Sequence, residues 1–266
     1  MDLKPLFPTY TQNYIADAII EGTFGQIWTD NDDNPHVAVL TALDGKLHIL
    51  GGDASHPAAL EYLQNLKLFR MIFLGAEGWQ AMLHEVHAGK VIPMPRYNFS
   101  SKALDPAHLR ALRERLSAEF HLEKLTAERV RELMQNQERW REDQFFGFQD
   151  AEDFINRGIG YCALHEDQVV CLAAAGAACS RGIEVQIDTH PKFYRRGLAT
   201  ATGAALLLDC LAQDIDPHWD ASNLESAGLA EKLGYTDREE YQMYYLMGKF
   251  LVNLRQFLRK LRGKTE

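Results

Sequence analysis

The stretch Ile183-Glu184-Val185-Gln186-Ile187-Asp188-Thr189-His190-Pro191-Lys192-Phe193-Tyr194-Arg195-Arg196-Gly197-Leu198-Ala199-Thr200 decides how the rest of this chain is read. Its first residues have strand character, a basic run follows, and a glycine stands where an apolar helix begins. Glycine there lets the main chain approach a ligand closely. The first N–H groups of a helix point outward with partial positive charge. Arg195 and Arg196 add donors suited to phosphate oxygens. Strand, basic glycine loop and helix together describe an anion site of a size that suits a pyrophosphate. The bland alternative is a strand-to-helix turn with solvated arginines.

Working outward, the spacing predicts a helix over 199–213, a short strand over 218–220, a second helix over 222–232 and a last strand over 242–246. Upstream, strands are predicted over 159–164, 169–178 and 183–188, divided by His165-Glu166-Asp167-Gln168 and by Arg181-Gly182. Residues 120–125 read as a strand, and Thr126 opens a helix with Val130, Leu133 and Met134 on one face. Asp105-Pro106 caps a further helix through Leu109, Leu112 and Leu116, taken as the connector between two domains. Before it come a helix over 9–22, strands over 36–41 and 47–50 around the hairpin signal Asp44-Gly45, a helix over 57–66, a strand over 69–74, and a helix over 79–87 closed by Gly89. Strands alternate with helices throughout, so the fold class is α/β.

With 266 residues, 46% of them hydrophobic, the chain can bury the cores of two domains. A net charge of -9 repels nucleic acid and anionic membranes, so neither is expected as a partner, and an anionic ligand needs a local cluster to hold it. The four cysteines, Cys162, Cys171, Cys179 and Cys210, show no Cys-x-x-Cys spacing and read as buried residues of a reducing compartment. Met1-Asp2-Leu3-Lys4-Pro5 does not open a signal peptide, and no apolar run is long enough for a membrane helix. A cytoplasmic, soluble protein is expected.

The loop resembles that of the GNAT superfamily of acetyltransferases, Gln/Arg-x-x-Gly-x-Gly/Ala, from its second position onward; Tyr194 departs from the first. The resemblance extends through Trp219-Asp220-Ala221-Ser222-Asn223 and Leu229-Ala230-Glu231-Lys232-Leu233-Gly234-Tyr235, in the family's order and spacing. It looks most like a bacterial subgroup with an extra N-terminal domain. It implies a mixed, splayed β-sheet flanked by helices over 115–247, preceded by a smaller α/β domain over 1–110, for which a degenerate copy of the same fold is one reading.

The resemblance further implies acetyl-CoA as co-substrate, no metal, and an amine acceptor, either a small molecule or a protein. The main chain of Ile187, Asp188 and Thr189 would pair with the pantetheine arm. Arg195, Arg196, Gly197, Leu198, Ala199 and Thr200 would hold the pyrophosphate, and Asn223 and Ser226 would meet the CoA arm, with a plain helix cap as the other reading of Asn223. Glu184 is the first candidate for the base, one residue closer to the glycine than the family's glutamate; an exposed strand carboxylate is its alternative. Asp188 is the second candidate. The family's acid tyrosine falls at Ala230, leaving Tyr235, Tyr241, Tyr244 or Tyr245 as substitutes, or a thiolate that leaves unaided.

His84 and His87, three apart, lack a third ligand and are read as helix surface, and Gly158-x-Gly160 precedes a strand and is discarded as a dinucleotide loop. A thiol-acylated intermediate on Cys162, Cys171 or Cys179 is set below core packing. Residues 248–266 form an amphipathic pattern expected to cover a sheet or make a homodimer contact, with a membrane-surface helix as the alternative. A non-catalytic acyl-CoA-binding or regulatory module of the same fold is the rival to an N-acetyltransferase.

Overall fold

The computed structural model describes residues 2–10, 14–136, 138–141 and 143–248. The chain forms two compact units, 1–95 with 242–266, and 96–241. The tail expected as a helix over 248–266 lies, from residue 249 onward, outside the described residues.

In the first unit, α1 (Tyr14–Ile20) precedes β1 (Gln26–Thr29), β2 (Val37–Ala42) and β3 (Leu47–Gly52), which pair antiparallel in sequence order. Leu43, Asp44 and Gly45 all take positive φ, so the predicted hairpin turn forms. His56 caps α2 (Pro57–Asn65), its ring accepting from Ala58 N–H, and Pro57 sits where a missing N–H costs nothing. The helix carries the chain over to β4 (Arg70–Leu74), parallel to β3. Then come α3 (Trp79–Val86) and β5 (Val91–Ser100). Val39, Leu50, Leu63, Ile72, Trp79 and Leu83 fill this unit's core.

The second unit begins inside β5. It continues with α4 (Pro106–Arg113), β6 (His121–Lys124), α5 (Ala127–Gln135), α6 (Ala151–Arg157), β7 (Gly160–His165), β8 (Gln168–Cys179) and β9 (Gly182–Thr189). Next are α7 (Leu198–Ala212), β10 (Asp216–Ala221), α8 (Leu224–Leu233) and β11 (Thr236–Leu246). Strands β6 to β9 pair antiparallel in order, β9 pairs parallel with β10, and β10 pairs antiparallel with β5. This is a mixed sheet flanked by helices, as expected. Helix α7 is apolar around most of its circumference because it lies between the sheet and α4.

Three elements were not foreseen. Strand β5 carries Pro93 and Pro95, which demote a run to edge or loop in a sequence reading. Strand β1 is four residues of mostly exposed chain, and α6 is a seven-residue helix of about two turns behind the Asp150 cap. Helix α4 is no connector: Leu109 and Leu112 belong to the second unit's core, so the boundary falls at Pro95/Arg96 and not near residue 110. The other boundary falls inside β11, whose end, Tyr244–Leu246, pairs with β4. No described helix is long and apolar enough to cross a membrane.

Candidate active site

The parallel register between β9 and β10 runs Gly182↔Asp216, Ile183↔Pro217 and His218↔Glu184, and no further. Beyond it β9 stays paired with β8 as far as Thr189, while β10 stays paired with β5. The two strands therefore part at Glu184 and His218, leaving a notch between them. Main-chain direction in the notch follows from the ladder with β8. His190 N–H donates to Val170 C=O at 2.8 Å. Hydrogen-bonded and non-bonded pairs alternate, so Asp188 turns its main chain towards β8, and Ile187 and Thr189 turn theirs into the notch.

The mouth of the notch is the loop from His190 to Gly197. Arg195 and Gly197 both have positive φ, 61° and 81°, which folds successive N–H groups around a concavity. Gly197 is the N-cap of the 15-residue α7 and offers no side-chain cap, so the helix presents its first N–H groups uncapped. A Cβ placed on Gly197 would meet no atom within 4 Å. Leu198, 1% exposed, anchors the loop among Phe120, Val170 and Cys171. Both arginines are exposed, but Arg196 is engaged with Glu119 at 2.6 Å and lies over the Phe120 ring, whereas Arg195 has no described hydrogen-bond or ion-pair partner.

At the vertex, polar side chains meet. His218 Nδ1 lies 2.5 Å from Glu184 Oε2, and its Nε2 lies 2.9 Å from Asn98 Oδ1, which also accepts from Phe99 N–H. An oxygen already accepting one N–H fixes His218 Nε2 as a donor, so one further proton is shared between Nδ1 and the Glu184 carboxylate. Both side chains are buried, 5% exposed for Glu184 and 7% for His218. Burial raises the Glu184 pKa above its ordinary value, only partly offset by His218. Burial alone would lower His218, but the Glu184 carboxylate, helped by Asp220 and Asp216, outweighs it and raises the imidazole pKa. Next along β10, Asp220 receives Arg96 Nε on both oxygens at 3.0 and 3.1 Å and the Tyr241 hydroxyl at 2.5 Å. On β9, burial raises the Asp188 carboxyl, whose neighbour Gln186 lies 3.4 Å away.

A sequence profile of the GNAT acetyltransferase family matches residues 4–244, through both units. The chain belongs to the GNAT acetyltransferase family. A GCN5-related N-acetyltransferase-like protein from Streptococcus suis 89/1591 is 30% identical, with a TM-score of 0.79 over 91% of this chain and 95% of its own. A GCN5-related N-acetyltransferase from Kribbella flavida, at 14% identity and TM-score 0.57 over 88% of this chain and 95% of its own, shares the fold. In sequence, the uncharacterized N-acetyltransferase YdfB of Bacillus subtilis (strain 168) is 30% identical over 97 residues, 36% of this chain and 37% of that protein's length.

Within this GNAT chain the residues singled out from sequence are distributed as follows. Glu184 is not the exposed carboxylate of its bland reading. Asn223 is the N-cap of α8, accepting from Ser226 N–H at 2.8 Å, and Ser226 Oγ accepts from Trp219 Nε1 at 3.3 Å. Leu198 and Thr200 point inward, so only their main chain is available to a ligand. Ala230 is fully buried, and the Tyr235 hydroxyl is committed to Pro217 C=O at 2.7 Å. Tyr244 lies in the first unit's core, edge-on to His84, and burial raises its pKa. Burial pushes the Cys171 thiol up to about 11 and Cys162 up to about 12, which keeps both protonated and unsuited to acylation. Sequence reasoning missed His218, Asn98 and Arg96. The alternate-residue string Asp216-x-His218-x-Asp220 carried the signal, since residues two apart on a strand share a face.

Proposed function

We propose that this chain is an acetyl-CoA-dependent N-acetyltransferase acting on an amine, with Glu184 taking the proton that the amine must lose. One observation carries the reading: a notch between parallel strands opens at one end onto the uncapped, glycine-led N-terminus of α7 and closes at the other on the Glu184–His218 pair. The residues fit coenzyme A. Open space over Gly197, the folded N–H groups of Arg195 to Leu198 and the exposed Arg195 suit a pyrophosphate. The outward main chain of Ile187 and Thr189 suits an arm that pairs as an extra strand would.

Bound there, acetyl-CoA would supply an activated thioester and a thiolate that leaves readily, a thiol having a pKa of about 8.5. The chain's own residues do the rest. The loop and the notch edge bind and orient, converting an encounter into a reaction within one site. In this reading Glu184, whose proton affinity is raised by burial, acts as the general base. His218 holds the carboxylate in position and Asn98 fixes the ring, so His218 and Asn98 are positioning residues. With Ala230 where the family's tyrosine would stand, the thiolate leaves without a proton from that position.

The test is release of free thiol from acetyl-CoA in the presence of a panel of amines, with wild type and Glu184→Gln. Amine-dependent release that the variant loses, while still binding acetyl-CoA in calorimetry, supports the reading. Binding without turnover against every amine supports the rival, a non-catalytic acyl-CoA-binding module. Absence of binding overturns both.

A further inference from the structure

The first unit carries a second constellation, unrelated to the notch. Asp30 follows β1 directly, His36 precedes β2, and His56 stands at the start of α2. His36 Nδ1 lies 3.4 Å, and His56 Nδ1 3.9 Å, from the same oxygen, Asp30 Oδ2. The two imidazoles are stacked, centroids 5.0 Å apart and planes within 4°. One ligand atom from each of the three residues falls within 4.8 Å of the others.

We propose that Asp30, His36 and His56 bind a divalent transition-metal ion of the Zn²⁺ class. Two imidazole nitrogens and one carboxylate oxygen are a ligand set for Zn²⁺, which keeps water or another ligand in the fourth position when the protein gives three. An ion with tetrahedral bonds of about 2.0–2.1 Å sets its ligand atoms roughly 3.3 Å apart. The Asp30–His36 separation already has about that value; His56 needs to close by about half an ångström on Asp30 Oδ2, and the two imidazole ligand atoms come together from a separation within 4.8 Å, His56 exchanging its long 3.3 Å bond from Ala58 N–H for the metal.

The carboxylate is held ready. Asp30 Oδ1 accepts from His36 N–H at 2.9 Å and Val37 N–H at 2.8 Å, which leaves Oδ2 facing the two rings. The support extends to the next loop, where Asp53 N–H donates to His36 C=O at 2.8 Å. Asp30 is largely covered, at 8% exposed, while the His36 and His56 side chains are 53% and 33% exposed, so an ion can enter from solvent. Bound, it would clamp the β1–β2 loop to the start of α2.

The experiment uses untagged full-length protein titrated with Zn²⁺ by calorimetry and with Co²⁺ by visible absorption, in wild type, Asp30→Asn, His36→Gln and His56→Asn. Asparagine at 30 keeps an oxygen for the two N–H groups, and asparagine at 56 keeps a helix cap, so each variant removes a ligand with the fold retained. One equivalent of metal, a tetrahedral Co²⁺ spectrum, and a loss of affinity in each variant at or beyond the roughly 10–100-fold typical of losing a ligand's supporting partner are expected. Wild type that binds no metal, or variants that bind as tightly as wild type, would overturn the proposal.

Discussion

Gly197→Ala separates strain from ligand binding, because the structure assigns each a different size. At φ +81° an alanine is strained, and the left-handed conformation costs an L-residue roughly 1–2 kcal/mol. No other penalty adds to it, since the new methyl meets no atom within 4 Å. A loss of that size lowers the melting temperature by a few degrees, about 2–4 °C per kcal/mol for a chain of this order. The same methyl would stand in front of the first N–H groups of α7. Moving an anion off one such donor costs about 1.5–3 kcal/mol, so acetyl-CoA affinity should fall by roughly tenfold or more. Gly234→Ala is the control: φ is +107°, and its Cβ would make only ordinary contacts at 3.7 and 3.8 Å with His108 and Leu104. Both variants should melt a few degrees low, and only Gly197→Ala should lose affinity in calorimetry. Equal affinity in the two variants would refute the placement of the anion at the α7 N-terminus.

His218→Ala should destabilise the protein by about 3–5 kcal/mol, because it strands a buried carboxylate, and denaturant unfolding at neutral pH measures it. Glu184 and His218 both have folded pKa values raised above their unfolded ones, so the native state holds more protons; stability falls as pH rises from about 4.5 for Glu184 and from about 6.5 for His218, through each folded value. Unfolding free energy followed from pH 6 upward should therefore fall more steeply in wild type than in a Glu184→Gln/His218→Gln double variant, and parallel curves would sink that account. Arg195→Ala should weaken acetyl-CoA binding more than Arg196→Ala, since Arg196 is committed to Glu119; the reverse order in calorimetry would show that the ion pair opens on binding. Arg96→Met leaves Asp220, 3% exposed, without its two-pronged partner and should cost about 3 kcal/mol in the same unfolding assay.

The strand–glycine–helix geometry of the loop was legible because its physics is local. A strand end, a glycine and a helix start lie within eighteen residues, and turn chemistry reports them directly. The vertex was legible only in part. Glu184 drew notice, but a carboxylate in a strand reads as solvent-facing unless its partner is known, and its partners stand 34 residues away for the ion pair and, through His218, a further 120 away at Asn98. Strand β5 was hidden for a related reason: Pro93 and Pro95 argue against a strand, and only its later residues, Tyr97 to Phe99, pair with β10. Tyr244, an acid candidate from the end of the family pattern, lies in the last residues of β11, which pair with β4 in the first unit.

In the first unit the corresponding place is occupied by the chain itself. Its order, antiparallel β1, β2 and β3, then α2 and a parallel β4, repeats that of β7, β8, β9, α7 and β10. At the end of β3 and β4, where the second unit opens, a Cβ on Gly51 or on Gly75 would overlap the Phe7 ring. Thr9 completes the filling, its N–H donating to Gly75 C=O at 3.1 Å and its hydroxyl to Leu74 C=O at 2.9 Å. Parting two parallel strands leaves main-chain groups and apolar surface that must be met by something. The first unit meets them with its own N-terminal segment. In the second, no described side chain approaches within 4 Å of the Gly197 Cβ position, and its loop carries uncapped N–H groups where the first unit has the His56 cap. The same strand order thus has one end sealed by Phe7 and the other left open at an uncapped helix start, and the proposed cofactor site rests on that difference.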